Sequence, residues 1–187
     1  MQSTASPRAN RGPAAAAENR RALIAAAREV YADGGLAAPF SAVAKRAGVG
    51  QGSLYRHFPD RTALAVAVFE ENVAELEEYI SGPDRTIDDL LDRVVAQAVE
   101  STALLALITA DLTDPRVQPL GERFAVVVSS LVEREHRAGR IGDHIDAGDV
   151  TMAAGMLATE LARADPPARP AVAARARRLF AAAFAPR

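Results

Sequence analysis

From Leu23 onward the apolar residues of this chain recur every three or four positions, and no stretch alternates apolar with polar residues as a half-buried strand would. That period leaves only helices to build with. Leu23, Ala27, Val30 and Tyr31 mark a first helix, stopped by Gly34-Gly35. Segment 40–58 reads as helix, glycine-containing turn, helix. Pro59-Asp60 opens a long helix carrying Phe69, Val73, Leu76 and Ile80, which Gly82-Pro83 ends. Five more helical stretches follow, over 87–98, 104–112, 120–131, 150–161 and 172–183, with breaks at Asp114-Pro115, Gly139 and Asp165-Pro166-Pro167. Asp146 and Asp149 have the spacing of a capping box at the start of the fourth of these. The expected fold is all-α, with about nine helices.

At 187 residues the chain makes one domain or two small ones. It has no Cys, which excludes disulfides and thiolate zinc sites. No apolar run approaches the length that spans a bilayer, and Arg8 and Arg11 are not followed by the apolar core of a secretory signal. A cytoplasmic protein without a membrane partner is expected. The net charge of −2 divides unevenly: residues 1–62 carry +5 and residues 63–187 carry −7. A basic front end suits contact with a polyanion. With 42 Ala, 21 Arg and a single Lys, a chance run of Arg is the competing explanation, so charge raises the question without answering it. The organisation expected is a disordered tail over 1–17, a helix-turn-helix domain over 18–62 with its motif at about 39–58, and a helical domain over 63–187.

In segment 40–58, Val43, Ala44 and Ala47 face inward, Gly48 supplies the turn, Val49 plugs the core, and Leu54 and Phe58 anchor the second helix. Two helices held in this way form a helix-turn-helix whose second helix can enter the major groove of DNA. The packing leaves Gln51, Ser53, Tyr55, Arg56 and His57 on or near the outer face. Gln can read adenine, Arg can read guanine, and Ser and Tyr suit phosphates. Gly52 lets the helix start approach a phosphate. Tyr55 could instead be a core aromatic and His57 a helix cap, but Tyr55 lies between two inward anchors, which turns its hydroxyl outward.

These residues resemble the TetR family of transcriptional regulators, through Ala47-Gly48-Val49, Gly52-Ser53-Leu54-Tyr55-Arg56-His57-Phe58-Pro59, Arg61 and Leu64, with Ala26-Ala27, Tyr31 and Gly35 before them. The resemblance covers residues 19–70. It implies a double-stranded, palindromic DNA operator contacted by Gln51, Gly52, Ser53, Tyr55, Arg56, His57 and Arg61, with Tyr55 and Arg61 on phosphates. It also implies a C-terminal domain that dimerises and takes a small effector, most simply one that releases a repressor. Pro39 and Gly50 depart from the family's frequent Ser or Thr, and Arg61 stands for its usual Lys, which keeps the charge.

The last two long helices offer Val150, Ala153, Ala154, Leu157, Leu161, Leu179 and Phe180 as the homodimer interface. An apolar effector pocket is expected among Phe69, Val73, Leu76, Leu91, Val95, Ile108, Phe124, Val127 and Leu131, with Glu100 or Asp111 as polar ends if they point inward. No catalytic constellation, cofactor or metal site is expected. His136 and His144 stand eight positions apart, and Asp143, Asp146 and Asp149 lack the pattern of a calcium loop. The competing function is a helical ligand-binding or adaptor protein in which the helix-turn-helix is only a packing unit.

Overall fold

The computed structural model describes residues 12–100 and 102–187. Among the described residues there are nine α-helices and no strand: α1 (Pro13–Gly34), α2 (Phe40–Ala47), α3 (Gln51–His57), α4 (Arg61–Ile80), α5 (Ile87–Glu100), α6 (Thr102–Ala110), α7 (Gln118–Arg137), α8 (Ala147–Arg163) and α9 (Arg169–Phe184). The chain is all-α, as its apolar period requires. No single helix among the described residues is long and apolar enough to cross a membrane.

The expected tail is corrected in part. Helix α1 begins at Pro13, with proline in the first turn where its missing N–H costs no hydrogen bond. Residues 14–17 are alanines, the best helix formers, so the helix propagates through them without an apolar stripe. The rest of that tail, residues 1–11, lies outside the described residues.

Two apolar clusters hold the fold. The first gathers Leu23, Ala27 and Tyr31 of α1, Val43 of α2, Leu54 of α3, and the first half of α4, closed by Leu104 and Ile108 of α6. The second gathers Leu76 and Ile80 of α4 with α5, α7, α8 and α9. Helix α4 therefore belongs to both, and half-buried Phe69 packs against each of them. Burying one of these leucines contributes about 1.5–3 kcal/mol relative to leaving it in water.

Local chemistry sets the helix ends that orient the motif. Gly48 closes α2 at φ +66°, and its N–H donates to the Ala44 and Lys45 carbonyls. A Cβ at Gly48 would meet no neighbouring atom, so the backbone dihedral, not space, is what requires glycine there. Asp60 caps α4 by accepting from the Ala63 N–H at 2.7 Å. Asp146 and Asp149 form the expected reciprocal capping box, with both bonds at 2.9 Å. Arg116, in the α6–α7 loop, donates to both Asp60 and Asp114, linking the start of α4 to that loop. Its guanidinium holds the Asp114 carboxyl down to about 2.

Candidate functional site

Helix α3 is pinned from below and open above. Leu54 is fully buried and Phe58 nearly so, whereas Gln51, Gly52, Tyr55 and Arg56 are exposed and Ser53 and His57 are half-buried. Tyr55 is 52% exposed, its ring held edge-on to Phe40 at 5.5 Å. Arg56 lies back along the helix, its Nε donating to the Gly52 carbonyl at 3.2 Å. Gly50 occupies the N-cap and provides no side-chain cap for the first amides of α3. A Cβ at Gly52 would meet no atom of the chain. Nothing in intrachain packing therefore explains glycine at that position. The hollow beside it, of about 610 Å³, is lined by Asn19, Gly48, Gly50, Ser53 and Arg56.

Arg61 has hydrogen-bond partners within the chain. Its guanidinium donates to the Leu36 carbonyl at 2.6 Å and the Ala38 carbonyl at 2.8 Å, and lies 5.9 Å from the Tyr31 ring centroid. Both terminal nitrogens are thus committed to the loop after α1, so Arg61 ties that loop to the start of α4. Its burial and this nearby cation act in opposite directions on the Tyr31 phenol, burial being the larger, and the phenol is raised. Arg61→Ala is expected to destabilise the chain by about 1–3 kcal/mol through two lost charge-assisted hydrogen bonds. Thermal unfolding measures it, and an unchanged melting temperature would contradict the tie.

A cavity of about 660 Å³ lies among α4, α5, α6, α7 and α8. Of the nine residues expected to line a pocket, Phe69, Val73, Leu76, Ile108 and Phe124 do. Leu91, Val95, Val127 and Leu131 do not. They pack into the second cluster, Val95 half-buried and the other three buried. Glu100 and Asp111 are exposed and outside the cavity wall. Small side chains make the room: Ala98, Gly121, Ala154, Gly155 and Ala158 face it from three helices. Where two helices meet through residues this small, no side chain reaches across to fill the space.

Asn72 is the buried polar residue among the cavity-wall positions that the expected set omitted. It lies three positions after Phe69 and four before Leu76, inside the apolar stripe of α4, and that placement was the signal. It is 1% exposed. Its Oδ1 accepts from Arg28 of α1 at 2.5 Å, while its Nδ2 has no hydrogen-bond partner. A buried donor left in that state costs about 1–3 kcal/mol. Gln97 of α5, also in the cavity wall, donates to the Asn72 backbone carbonyl at 3.0 Å.

The expected dimer seam also needs correction. Val150, Ala153, Ala154, Leu157 and Leu161 are all buried within the single chain, in the second cluster. They supply core of the single chain. Leu179 is exposed, and Phe180 is half-buried and stacked on Phe184 at 6.0 Å. Met152 and Met156, one position round α8 from the buried stripe, are more than half exposed. Between them a Cβ at Gly155 would meet nothing.

Comparison with known proteins bears on this geometry. Residues 23–68 match the family model of bacterial regulatory proteins of the tetR family. The chain is 39% identical over 85 residues to the HTH-type transcriptional activator FasR of Mycolicibacterium smegmatis, a match covering 45% of this chain and 38% of that protein. A TetR transcriptional regulator of Streptomyces coelicolor is 27% identical with a TM-score of 0.56, over 89% of this chain and 98% of the other. A TetR transcription regulatory protein of Mycobacterium vanbaalenii is 28% identical with a TM-score of 0.60, over 80% and 93%. A TetR-family regulator of Pectobacterium atrosepticum, 24% identical, shares the fold with a TM-score of 0.65, over 89% and 92%.

Proposed function

The chain belongs to the TetR family, and from that premise we propose that it is a DNA-binding transcriptional regulator whose grip on a palindromic operator is controlled by a small molecule. The observation that carries this reading is α3. Its inner residues Leu54 and Phe58 are locked into the core, and its outer residues Gln51, Tyr55 and Arg56 are exposed together. A rigid helix presenting Gln and Arg outward is what major-groove readout needs. Gly50 and Gly52 leave the start of α3 bare, so a phosphate oxygen can approach its amides without meeting a side chain.

Two copies are needed to span two half-sites, and the exposed apolar residues Met152, Met156 and Leu179 are the face on which a second copy fits. The effector site is the cavity beside α4, the helix that belongs to both clusters. A ligand that prefers the dimer state with wrongly spaced recognition helices releases the operator; one with equal affinity for both states changes nothing. Release of a repressor is the simplest form of this. The relative matched over 85 residues is named an activator, and the sign of control follows from where the operator stands relative to the promoter.

Selection of duplexes from a randomised pool tests the reading. A palindrome is expected to emerge, and Gln51→Ala is expected to change the winning sequence, with each affected base pair worth about 1–3 kcal/mol. Because Arg61 is committed within the chain, Arg61→Ala is expected to leave the salt slope unchanged. Loss of a phosphate contact would instead lower that slope by about 1. Retention on DNA that vanishes at moderate salt, with no sequence selected, would overturn the proposal in favour of a helical ligand-binding or adaptor protein.

A further inference from the structure

Asn72 stands where the cavity meets the helix that braces the helix-turn-helix. Its Oδ1 is taken by Arg28, and a guanidinium has only donors to offer, so the orientation of the amide is set: oxygen toward α1, nitrogen away from it. That nitrogen is buried without an acceptor in a wall whose other α4 members, Phe69, Val73 and Leu76, are apolar. Arg28 is one-fifth exposed and also reaches Glu71 at 3.4 Å, so its charge already has a carboxylate partner.

We infer that Asn72 is the polar reader of the cavity: its Nδ2 donates to a neutral carbonyl oxygen on an otherwise apolar ligand, and its Oδ1 passes the event to α1 through Arg28. The inference rests on the regulator reading above and deepens it by naming the ligand chemistry and the link. A ketone, ester or amide carbonyl fits better than a carboxylate. The only cation bonded to this amide is already paired, and a second anion would be desolvated with no cation of its own. Because Nδ2 is sealed from water, the carbonyl reaches it as a wall side chain turns aside. Gln97, half-buried in the same wall and held to the Asn72 backbone carbonyl by a single side-chain bond, is the one that moves. Filling the donor polarises the amide and strengthens the bond to Arg28, since hydrogen bonds in a chain reinforce one another. Arg28 lies on the helix that packs directly on α2 and α3, so a change in its bond bears on the frame that holds α3.

The test uses the full chain and three probes of similar size: butyrophenone, butylbenzene and phenylbutanoate. Calorimetric titration is expected to give butyrophenone about tenfold tighter than butylbenzene, with phenylbutanoate weaker than the ketone. Asn72→Asp, which keeps an oxygen for Arg28 and removes the donor, is expected to erase the preference for the ketone. If that variant does not fold, Asn72→Leu removes the same donor without introducing a charge. Hydrogen exchange is the second arm. The ketone is expected to change exchange in α1 by about fivefold in the unaltered chain, and not in Arg28→Met, which should still bind it. Equal affinity for ketone and hydrocarbon, a preference that survives Asn72→Asp or Asn72→Leu, or tighter binding of the carboxylate would overturn the inference, as would an α1 response that persists in Arg28→Met. Neither arm uses DNA, so failure here is distinct from failure of the regulator reading.

Discussion

Met156→Glu combined with Leu179→Glu is expected to convert the protein from dimers to folded monomers. Leu157→Glu, one position from Met156, is expected to unfold it. The two outcomes differ because neighbouring residues on α8 face opposite environments. Met156 and Leu179 are 56% and 63% exposed in the single chain, while Leu157 is 1% exposed. A carboxylate on the exposed face keeps its water until a second copy approaches, and then two like charges and their desolvation oppose the contact. A carboxylate at Leu157 has no water and no cation, a cost of several kcal/mol against a total stability of about 5–15 kcal/mol. Losing the dimer removes the linkage of the two half-sites, so operator affinity is expected to fall about a hundredfold or more. Sedimentation and circular dichroism measure the two parts. A double variant that sediments as a dimer would show that the exposed α8–α9 face is not the seam.

Leu54→Ala is expected to have the second large effect, and on DNA binding most of all. Leu54 is the fully buried residue of α3, set among six exposed or half-buried positions that the reading assigns to DNA. Removing its side chain leaves a cavity under the helix and costs about 2–5 kcal/mol. A seven-residue helix cannot hold its shape without its anchor, since short helices depend on packing for nearly all their stability. The second cluster does not contain Leu54, so dimerisation should survive. A mobility-shift assay is expected to show operator binding lost while sedimentation is unchanged. Retained affinity in a chain that melts earlier would mean that α3 is not the contact surface.

Much of this molecule is legible along the chain because its determinants are local. The turn at Gly48, the capping box at Asp146 and Asp149, the breaks at Gly34-Gly35 and Gly82-Pro83, and the anchors Leu54 and Phe58 each depend on a few neighbouring residues. Their chemistry acts within one or two helical turns. The outward set on α3 followed from the same logic, since two fixed anchors on a helix dictate which residues face away.

The misreadings share a different cause. An apolar stripe says that a helix face will be covered; it carries no label for the partner that covers it. The stripe of α8 from Val150 to Leu161 suited a second copy as well as it suited α5 and α7, and intrachain packing took it, which moved the candidate seam to Met152, Met156 and Leu179. Val127 and Leu131 followed the same rule: apolar, at the right period, and consumed by the second cluster while small residues elsewhere left the cavity open. Arg61 was a cation beside a DNA-reading motif until the fold brought the Leu36 and Ala38 carbonyls against it. Asn72 could be seen as an oddity in a stripe, but its two ends acquire meaning only from Arg28, forty-four residues away in sequence. Which long-range partner satisfies a side chain is settled when helices pack, because apolar contact is non-directional and many pairings satisfy one pattern until packing density and hydrogen-bond geometry select among them.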